Sequence, residues 1–394
     1  MSARATVRTV LTGGAVMDPV SGEVRPANVA IEHGRITAVG ADVDGDESID
    51  CSELTLVPGL IDCHAHMAFE GDPDPTRTTP NHRLLGALPA LQKTLELGVT
   101  TVRDAWGADA GLRDAIAAGH VTGPRLLISL AQLCGTAGIG DHFGLGIGEL
   151  DAYLGTPWLP RGNFDGPYEA RRAVRRMVRA EADVIKVAVS GSATQPRSAS
   201  AQQVADDELA EIVAEAARHG RHVMAHAHGA RTAEAAARAG VRSVEHGFFL
   251  DEPAVAAMVE HGTWLVPTLS AALAEPLTDE SPDWLFAAVD GATTSFKLAL
   301  DAGVRIAMGT DCPASPHEGR LGELRIMEQL GMSATAVWRA ATSDAAELLD
   351  RDDLGRIQPG RIADIVALRG DPMSFEMLED RIEGVWKDGQ RVVS

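Results

Sequence analysis

DVIKVAV (183–189), ADDELAEIVAEAARHG (205–220) and RHVMAHA (221–227) follow one another in the chain as a strand, a helix and a second strand. The two outer strings are short and apolar, the texture of strands buried on both faces. The middle string reads as a helix, and Gly220 stands where a helix-ending C′ residue belongs. A strand, a crossover helix and another strand make the repeating unit of a parallel sheet.

The same rhythm runs outward in both directions. Strand candidates occur at TLVPGLIDC (55–63), VTTVRDA (99–105), RLLISL (125–130), RSVEHG (242–247), TWLVPTL (263–269) and VRIAMGTD (304–311), making eight with the first pair. Helical strings lie between them, among them NHRLLGALPALQKTLELG (81–98), PYEARRAVRRMVRAEA (167–182) and ARTAEAAARAG (230–240). SATAVWRAATSDAAELL (333–349) reads as one final helix with Ser333 as its N-cap. Eight βα units over roughly 300 residues predict a mixed α/β fold, a closed (β/α)8 TIM-like barrel over residues 59–356. Chemistry in such barrels sits at the C-terminal strand ends. At the two chain ends, VRTVLTGGAVMD (7–18), ANVAIEHGRITAVG (27–40) and LTLVP (54–58) match GRIADIVALRG (360–370) and RIEGVWKDGQRVV (381–393) in texture. Residues 1–58 and 357–394 therefore read as halves of one small β domain, with a DG turn near its end.

Composition narrows the function. The chain carries 56 acidic and 35 basic residues, a net charge of −21. Such a surface repels phosphate backbones, so no nucleic-acid partner is expected. No apolar run is long enough for a membrane span to be expected, and the N-terminal run is too short and broken for a secretory signal to be expected. Cys51, Cys63, Cys134 and Cys312 are scattered, so neither disulfides nor a thiolate metal site is expected. A cytoplasmic enzyme with a small-molecule substrate is the expectation, with homo-oligomers compatible. With aromatic residues at 4%, the core should be aliphatic.

The chemistry-bearing residues gather at strand ends. In LIDCHAHM (60–67), His64 and His66 are two apart and project to one face, a two-imidazole start to a zinc site. MAHAHG (224–229) repeats the arrangement with His226 and His228. SVEHG (243–247) ends in His246 and MGTDC (308–312) in Asp311. Of thirteen histidines, five fall at these ends, which chance placement does not explain. Lys186 lies inside an apolar run, where an ammonium is costly to bury. Snorkelling at the strand end is one reading; a neutral amine able to take up carbon dioxide as a carbamate is the other.

HAH after the first strand, Lys in the fourth, His ending the fifth and sixth and Asp ending the eighth resemble the amidohydrolase superfamily along essentially the whole chain. IKVAVSG (185–191), AHAHG (225–229) and SVEHG are most similar to its imidazolonepropionase-like and prolidase-like group, which includes Xaa-Pro dipeptidases, metallo-carboxypeptidases and ochratoxin amidases. VPGLIDCHAHM (57–67) and LGRIQPGRIADIVAL (354–368) look like the flanks where such barrels meet a composite β-sandwich built from both chain ends. The resemblance implies two divalent ions, expected to be zinc. His64, His66 and Asp311 would hold one and His226 and His246 the other, with Lys186, carboxylated by CO2, bridging them. It further implies cleavage of an amide C–N bond by metal-bound hydroxide, with Asp311 as general base and then acid. His228 would then either support the ligands from behind or face the substrate.

On the substrate side, residues 131–167 read as a long Gly-rich loop carrying His142, Phe143, Trp158, Arg161 and Phe164. His142 is a candidate catalytic and substrate-binding group beside the carbonyl oxygen. Arg161, Arg197, His228, His317 and Arg320 are candidates for binding a carboxylate. Phe143, Trp158, Phe164, Phe248 and Phe249 are candidates for an apolar subsite. The expected substrate is a dipeptide or N-acyl amino acid, with a cyclic amide or imidazolone ring as the alternative. A non-catalytic barrel used as a binding subunit is a distant third reading, since every expected ligand position is filled.

Overall fold

The computed structural model describes residues 7–68, 79–141, 143–144, 148–149, 159–193, 196–273, 277–314 and 316–393. His142, Trp158 and the side chain of Arg197 lie outside them.

The strand–helix–strand run is Ile185–Ala188, Asp206–Arg218 and Val223–Gly229. The helix forms where local chemistry favours it. Asp206, Asp207 and Glu208 load its first turn with negative charge and Arg218 stands in its last, both complementing the helix dipole. Glu208 reaches back to accept the Ala205 N–H at 2.8 Å and also accepts that of Gly166 at 2.6 Å. Leu209, Ile212 and Ala216 form the buried stripe, at the spacing of one helix face. Gly220, at φ 63°, carries the chain out in a left-handed turn that favours glycine.

Parallel strands form two arcs. One sets Leu60–Ala65 beside Val99–Asp104 and that beside Arg125–Ile128. The other runs in order Asn163–Phe164, Gln132–Gly135, Ile185–Ala188, Val223–Gly229, Ser243–Phe249 and Trp264–Val266. Asp183 joins the arcs at one side: its N–H donates to the Ile128 carbonyl at 2.8 Å and its carboxylate accepts the Ile128 N–H at 2.9 Å. On the other side, residues 305–310 run between Trp264–Val266 and Leu60–Ala65. Leu265 N–H bonds the Arg305 carbonyl at 2.8 Å, Cys63 N–H the Met308 carbonyl at 2.8 Å, and Thr310 N–H the His64 carbonyl at 3.0 Å.

Three elements differ from expectation. VRIAMGTD forms no extended ladder of its own, only an isolated Leu265–Ile306 bridge and the bonds just given. RLLISL stops at Ile128, because Leu130 turns left-handed at φ 68° and Ala131 N–H closes on the Ser129 carbonyl at 2.9 Å. Gln132–Gly135 then resumes as a buried strand, so the segment expected to be loop from residue 131 begins inside the sheet. The last helix is two, Ala334–Ala340 and Ser343–Leu348, with Ser333 capping the first by accepting the Ala336 N–H at 3.3 Å. Thr342 breaks them apart at φ −138°, ψ −90°, its hydroxyl turned back onto the Trp338 carbonyl.

Both chain ends share a six-stranded sheet ordered Gln390–Val393, Ile382–Lys387, Ile365–Arg369, Leu54–Pro58, Ala15–Met17, Val24–Pro26. A four-stranded sheet of Arg35–Gly40, Asn28–Glu32, Thr9–Thr12 and Glu47–Asp50 accompanies it. Leu11, Val29, Ile36, Leu56, Ile365 and Trp386 pack into one apolar cluster drawn from strands of both sheets. Asp388 and Gly389, both at positive φ, make the DG turn. Elsewhere the core is aliphatic, with alanine-faced helices on valine-rich strands, and all four cysteines are buried and free. Among the described residues, no helix is long and apolar enough to cross a membrane.

Candidate active site

His64 lies in a strand buried at all six positions, Leu60–Ala65, and His66 follows its end. Parallel register sets Ala188 opposite His226 and Ala227 opposite His246, so these strand ends are level. Asp311 arrives from the far side of the arc. Its N–H donates to the His64 carbonyl at 2.7 Å. Gly309 makes the approach possible, since a Cβ there would lie 2.9 Å from the His64 Cβ and 2.3 Å from a Val266 methyl. His246 and Asp311 turn left-handed at φ 71° and 57°, a strain of order 1–3 kcal/mol each for non-glycine residues that tends to mark functional positions.

The side chains converge. Nε2 of His64 and Nε2 of His66 lie 3.3 and 3.0 Å from the same Asp311 oxygen, Oδ1. His246 Nδ1 lies 4.0 Å from Asp311 Oδ2. Ring centroids are 4.8 Å apart for His64–His246, 4.7 Å for His226–His246 and 4.7 Å for His226–His228, with His228 stacked on His246 at 4.8 Å. The ligand atoms of His64, His246 and Asp311 lie within 4.8 Å of one another, as do those of His226, His228 and His246.

The electrostatics suit a cation. Burial pushes His226 and His246 well below the usual histidine range and His228 down to about 3, so all three present neutral imidazoles. Burial opposes the Asp311 charge, but hydrogen bonds from His64 and His66 outweigh it and hold the carboxyl well below its usual range. For His66, burial is likewise outweighed, here by Asp311, and its pKa rises. Lys186 is 1% exposed, and burial lowers its pKa to about 8 against the pull of Glu245 and Asp311. Its Nζ and the Nδ1 of His228 are buried with no hydrogen-bond partner. Polar atoms buried this way are costly. Neutral imidazoles, a carboxylate and an unpartnered amine form a donor set that fits divalent ions of the zinc type.

The expected ligands His64, His66, His226, His246 and Asp311 thus meet at one place with His228, and Lys186 lies within electrostatic reach of Asp311. The wider candidates do not all join them. Arg161 is exposed just before the Asn163–Phe164 strand. Arg320 is not a surface cation: it is 0% exposed and its Nη1 pairs with Asp62. His317 is buried against it, Nδ1 2.7 Å from Arg320 Nη2, and burial followed by that charge lowers it to about 4. Phe164 is core and Phe143 exposed, whereas Phe248 packs edge-on to His228 at 4.8 Å.

Sequence reasoning passed over the charges beneath the histidines. Asp62 accepts the Thr310 hydroxyl at 2.6 Å and the His64 N–H at 3.0 Å. Glu245 meets His64 Nδ1 at 2.7 Å and Arg103 Nη2 at 3.0 Å, all three side chains buried. Thr268 lies 2.8 Å from His246 Nδ1. The available signal was the same as for Lys186: Asp62, Arg103 and Glu245 each interrupt an apolar strand string.

The sequence model of the amidohydrolase family matches residues 55–392. The ochratoxinase of Aspergillus niger is 33% identical, covering 97% of this chain and 86% of its own, and its crystal structure superposes with a TM-score of 0.88 at 30% identity, covering 99% of this chain and 96% of that one. A prolidase crystallised with N-methylphosphonate-L-proline gives a TM-score of 0.88 at 32% identity, covering 98% of this chain and 99% of that one. The imidazolonepropionase of Cupriavidus taiwanensis is 28% identical, covering 88% of this chain and 85% of its own. The chain belongs to the amidohydrolase family, hydrolases that act on carbon–nitrogen bonds.

Proposed function

We propose that this protein is a binuclear zinc hydrolase that cleaves the amide bond of a dipeptide or N-acyl amino acid. The observation that carries the reading is the convergence of His64 and His66 on Asp311, with a buried Lys186 amine left without a partner beside neutral histidines. In this reading His64, His66 and Asp311 hold one ion and His226 and His246 the other, with Lys186 joining them as a carbamate. When bound, such ions polarise a carbonyl and acidify water.

The protein's own groups do the rest. Asp311 is anionic at neutral pH and already engages two imidazoles, so it can take a proton at Oδ and return it to the departing amide nitrogen. His228, neutral and anchored through its backbone N–H to the Ser190 hydroxyl at 3.0 Å, faces the substrate, and Phe248 forms an apolar wall beside it. His142 and Arg161 are assigned to the carbonyl oxygen and the substrate carboxylate. We also read the two arcs as one closed (β/α)8 barrel over residues 59–356, supported by the hydrogen bonds on both sides of residues 305–310. The terminal segments 1–58 and 357–394 are its composite β-sandwich.

The substrate class draws support from the prolidase with its phosphonate-proline ligand and from the ochratoxinase. The imidazolonepropionase relatives favour a second reading, opening of a cyclic amide. Zinc content by elemental analysis, with turnover of Xaa-Pro and N-acyl amino acids against cyclic imides, decides between them. Two zinc ions per chain and chelator-sensitive cleavage of the linear amides are expected. Turnover of cyclic imides alone would replace the first reading with the second.

A further inference from the structure

Each of the four expected imidazole ligands has a nitrogen engaged by the surrounding protein. His66 Nδ1 faces the Trp106 carbonyl at 3.1 Å, His246 Nδ1 the Thr268 hydroxyl at 2.8 Å, and His226 Nε2 the Gly191 carbonyl at 3.1 Å. These partners are neutral. His64 differs, because its Nδ1 meets the Glu245 carboxylate at 2.7 Å.

Glu245 is itself fully constrained. It is 0% exposed on the Ser243–Phe249 strand. Arg103 Nη2 donates to both of its oxygens at 3.0 Å, and the Ser243 hydroxyl donates to Oε1. Arg103 is in turn pinned by Nε to the Cys63 carbonyl at 2.6 Å and by Nη1 to the Ser243 hydroxyl at 3.1 Å. Cys63 immediately precedes His64, so the clamp grips both the ring and the strand that carries it.

A carboxylate paired this way with arginine can only accept. The hydrogen between His64 and Glu245 therefore belongs to Nδ1. When the ring is neutral its bare nitrogen is Nε2, the atom that faces Asp311 at 3.3 Å. We propose that Glu245, held by Arg103 and Ser243, is a positioning residue that fixes the His64 tautomer and so prepares its Nε2 to ligate an ion. The inference rests on the binuclear reading above and adds a hierarchy to it: an imidazole of the ion on His64, His66 and Asp311 is oriented by a buried charge pair, whereas the imidazoles of the other are oriented by neutral groups.

Glu245→Gln tests the tautomer directly. The Ser243 hydroxyl and one of the two Arg103 bonds fall on Oε1, which favours keeping the amide oxygen there and turns the amide N–H2 toward His64. Nδ1 must then accept, and the ring proton moves to Nε2. Binding of Zn2+ alone, measured by chelator competition, is expected to weaken about 10- to 100-fold for one ion and to stay within threefold for the other. In metal-stripped protein labelled with 15N-histidine, 1H–15N correlations are expected to show His64 Nδ1 carrying a proton in the wild type and bare in the variant. Glu245→Asp keeps the countercharge for Arg103 while withdrawing the carboxylate from His64, and the same one-ion loss is expected should the Gln variant fail to fold. Two zinc ions bound with wild-type affinity in either variant, or an unchanged tautomer in Glu245→Gln, would overturn the positioning role and leave the binuclear reading standing. A wild type that binds no zinc would instead remove the binuclear reading itself, and this inference with it.

Discussion

Lys186→Met is expected to move stability and metal content in opposite directions. In metal-stripped protein the Lys186 Nζ is buried without a hydrogen-bond partner, and burial holds its pKa at about 8, against an ordinary 10.5. That depression corresponds to roughly 3 kcal/mol of cost to the charged form. Because the folded pKa is the lower one, the cost is at full size below pH 8 and fades to nothing above 10.5. Methionine fills nearly the same volume without the charge, so the stripped variant is expected to be more stable than stripped wild type by about 3 kcal/mol at pH 7. Unfolding in urea at pH 7 and again at 10.5 measures this, and the advantage is expected to shrink at the higher pH to whatever packing alone contributes. Elemental analysis of the untreated variant is expected to find one ion or none, because the thioether cannot become a carbamate. A stripped variant less stable than wild type at pH 7, or an advantage independent of pH, would refute the claim that an uncompensated ammonium is buried here. Full binuclear metal content would reject the bridge.

Three further outcomes follow from the same structure. Asp311→Asn is expected to fold normally yet lose at least about 100-fold in kcat, the scale of a missing acid–base group, and wild-type turnover would take Asp311 out of the proton transfer. Asp62→Asn leaves the fully buried Arg320 without its counter-ion; a loss of about 3–5 kcal/mol in urea unfolding is expected, and a loss under about 1 kcal/mol would mean that His317 and Met67 suffice to hold that guanidinium. Glu215 lies under Arg175, Arg218 and His219, and the Arg175 hydrogen bond first among these holds its carboxyl down to about 2. A depressed folded pKa stabilises above the unfolded value of 4.5 and is lost toward 2, so Glu215→Gln is expected to lower Tm most at pH 7 and progressively less below pH 4.5, and a pH-independent difference would contradict it.

How much of this was legible in the linear chain depends on the range of the physics involved. The Asp206–Arg218 helix, its glycine exit, the Ser333 cap and the DG turn at Asp388 are settled by neighbours a few residues away, so their signals stand in the string itself. The kink at Ser129–Ala131 and the break at Thr342 were hidden, because a left-handed leucine and a hydroxyl folded back on its own helix leave no compositional mark. The candidate ligands could be read because parallel strands place chemistry at one end, and histidines recur at that end of string after string.

By itself, then, the amino-acid sequence determined the βα alternation and the aliphatic core, and it singled out His64, His66, His226, His246 and Asp311 as candidates. Only the tertiary structure decided which buried charges answer one another. Arg103 meets Glu245 across 142 positions and Arg320 meets Asp62 across 258. It also decided that Arg320 is buried rather than offered to a substrate. The reason is that a lone charge in an apolar strand announces a cost but not its remedy. The countercharge is chosen by strand order and register, which no local stretch of chain encodes.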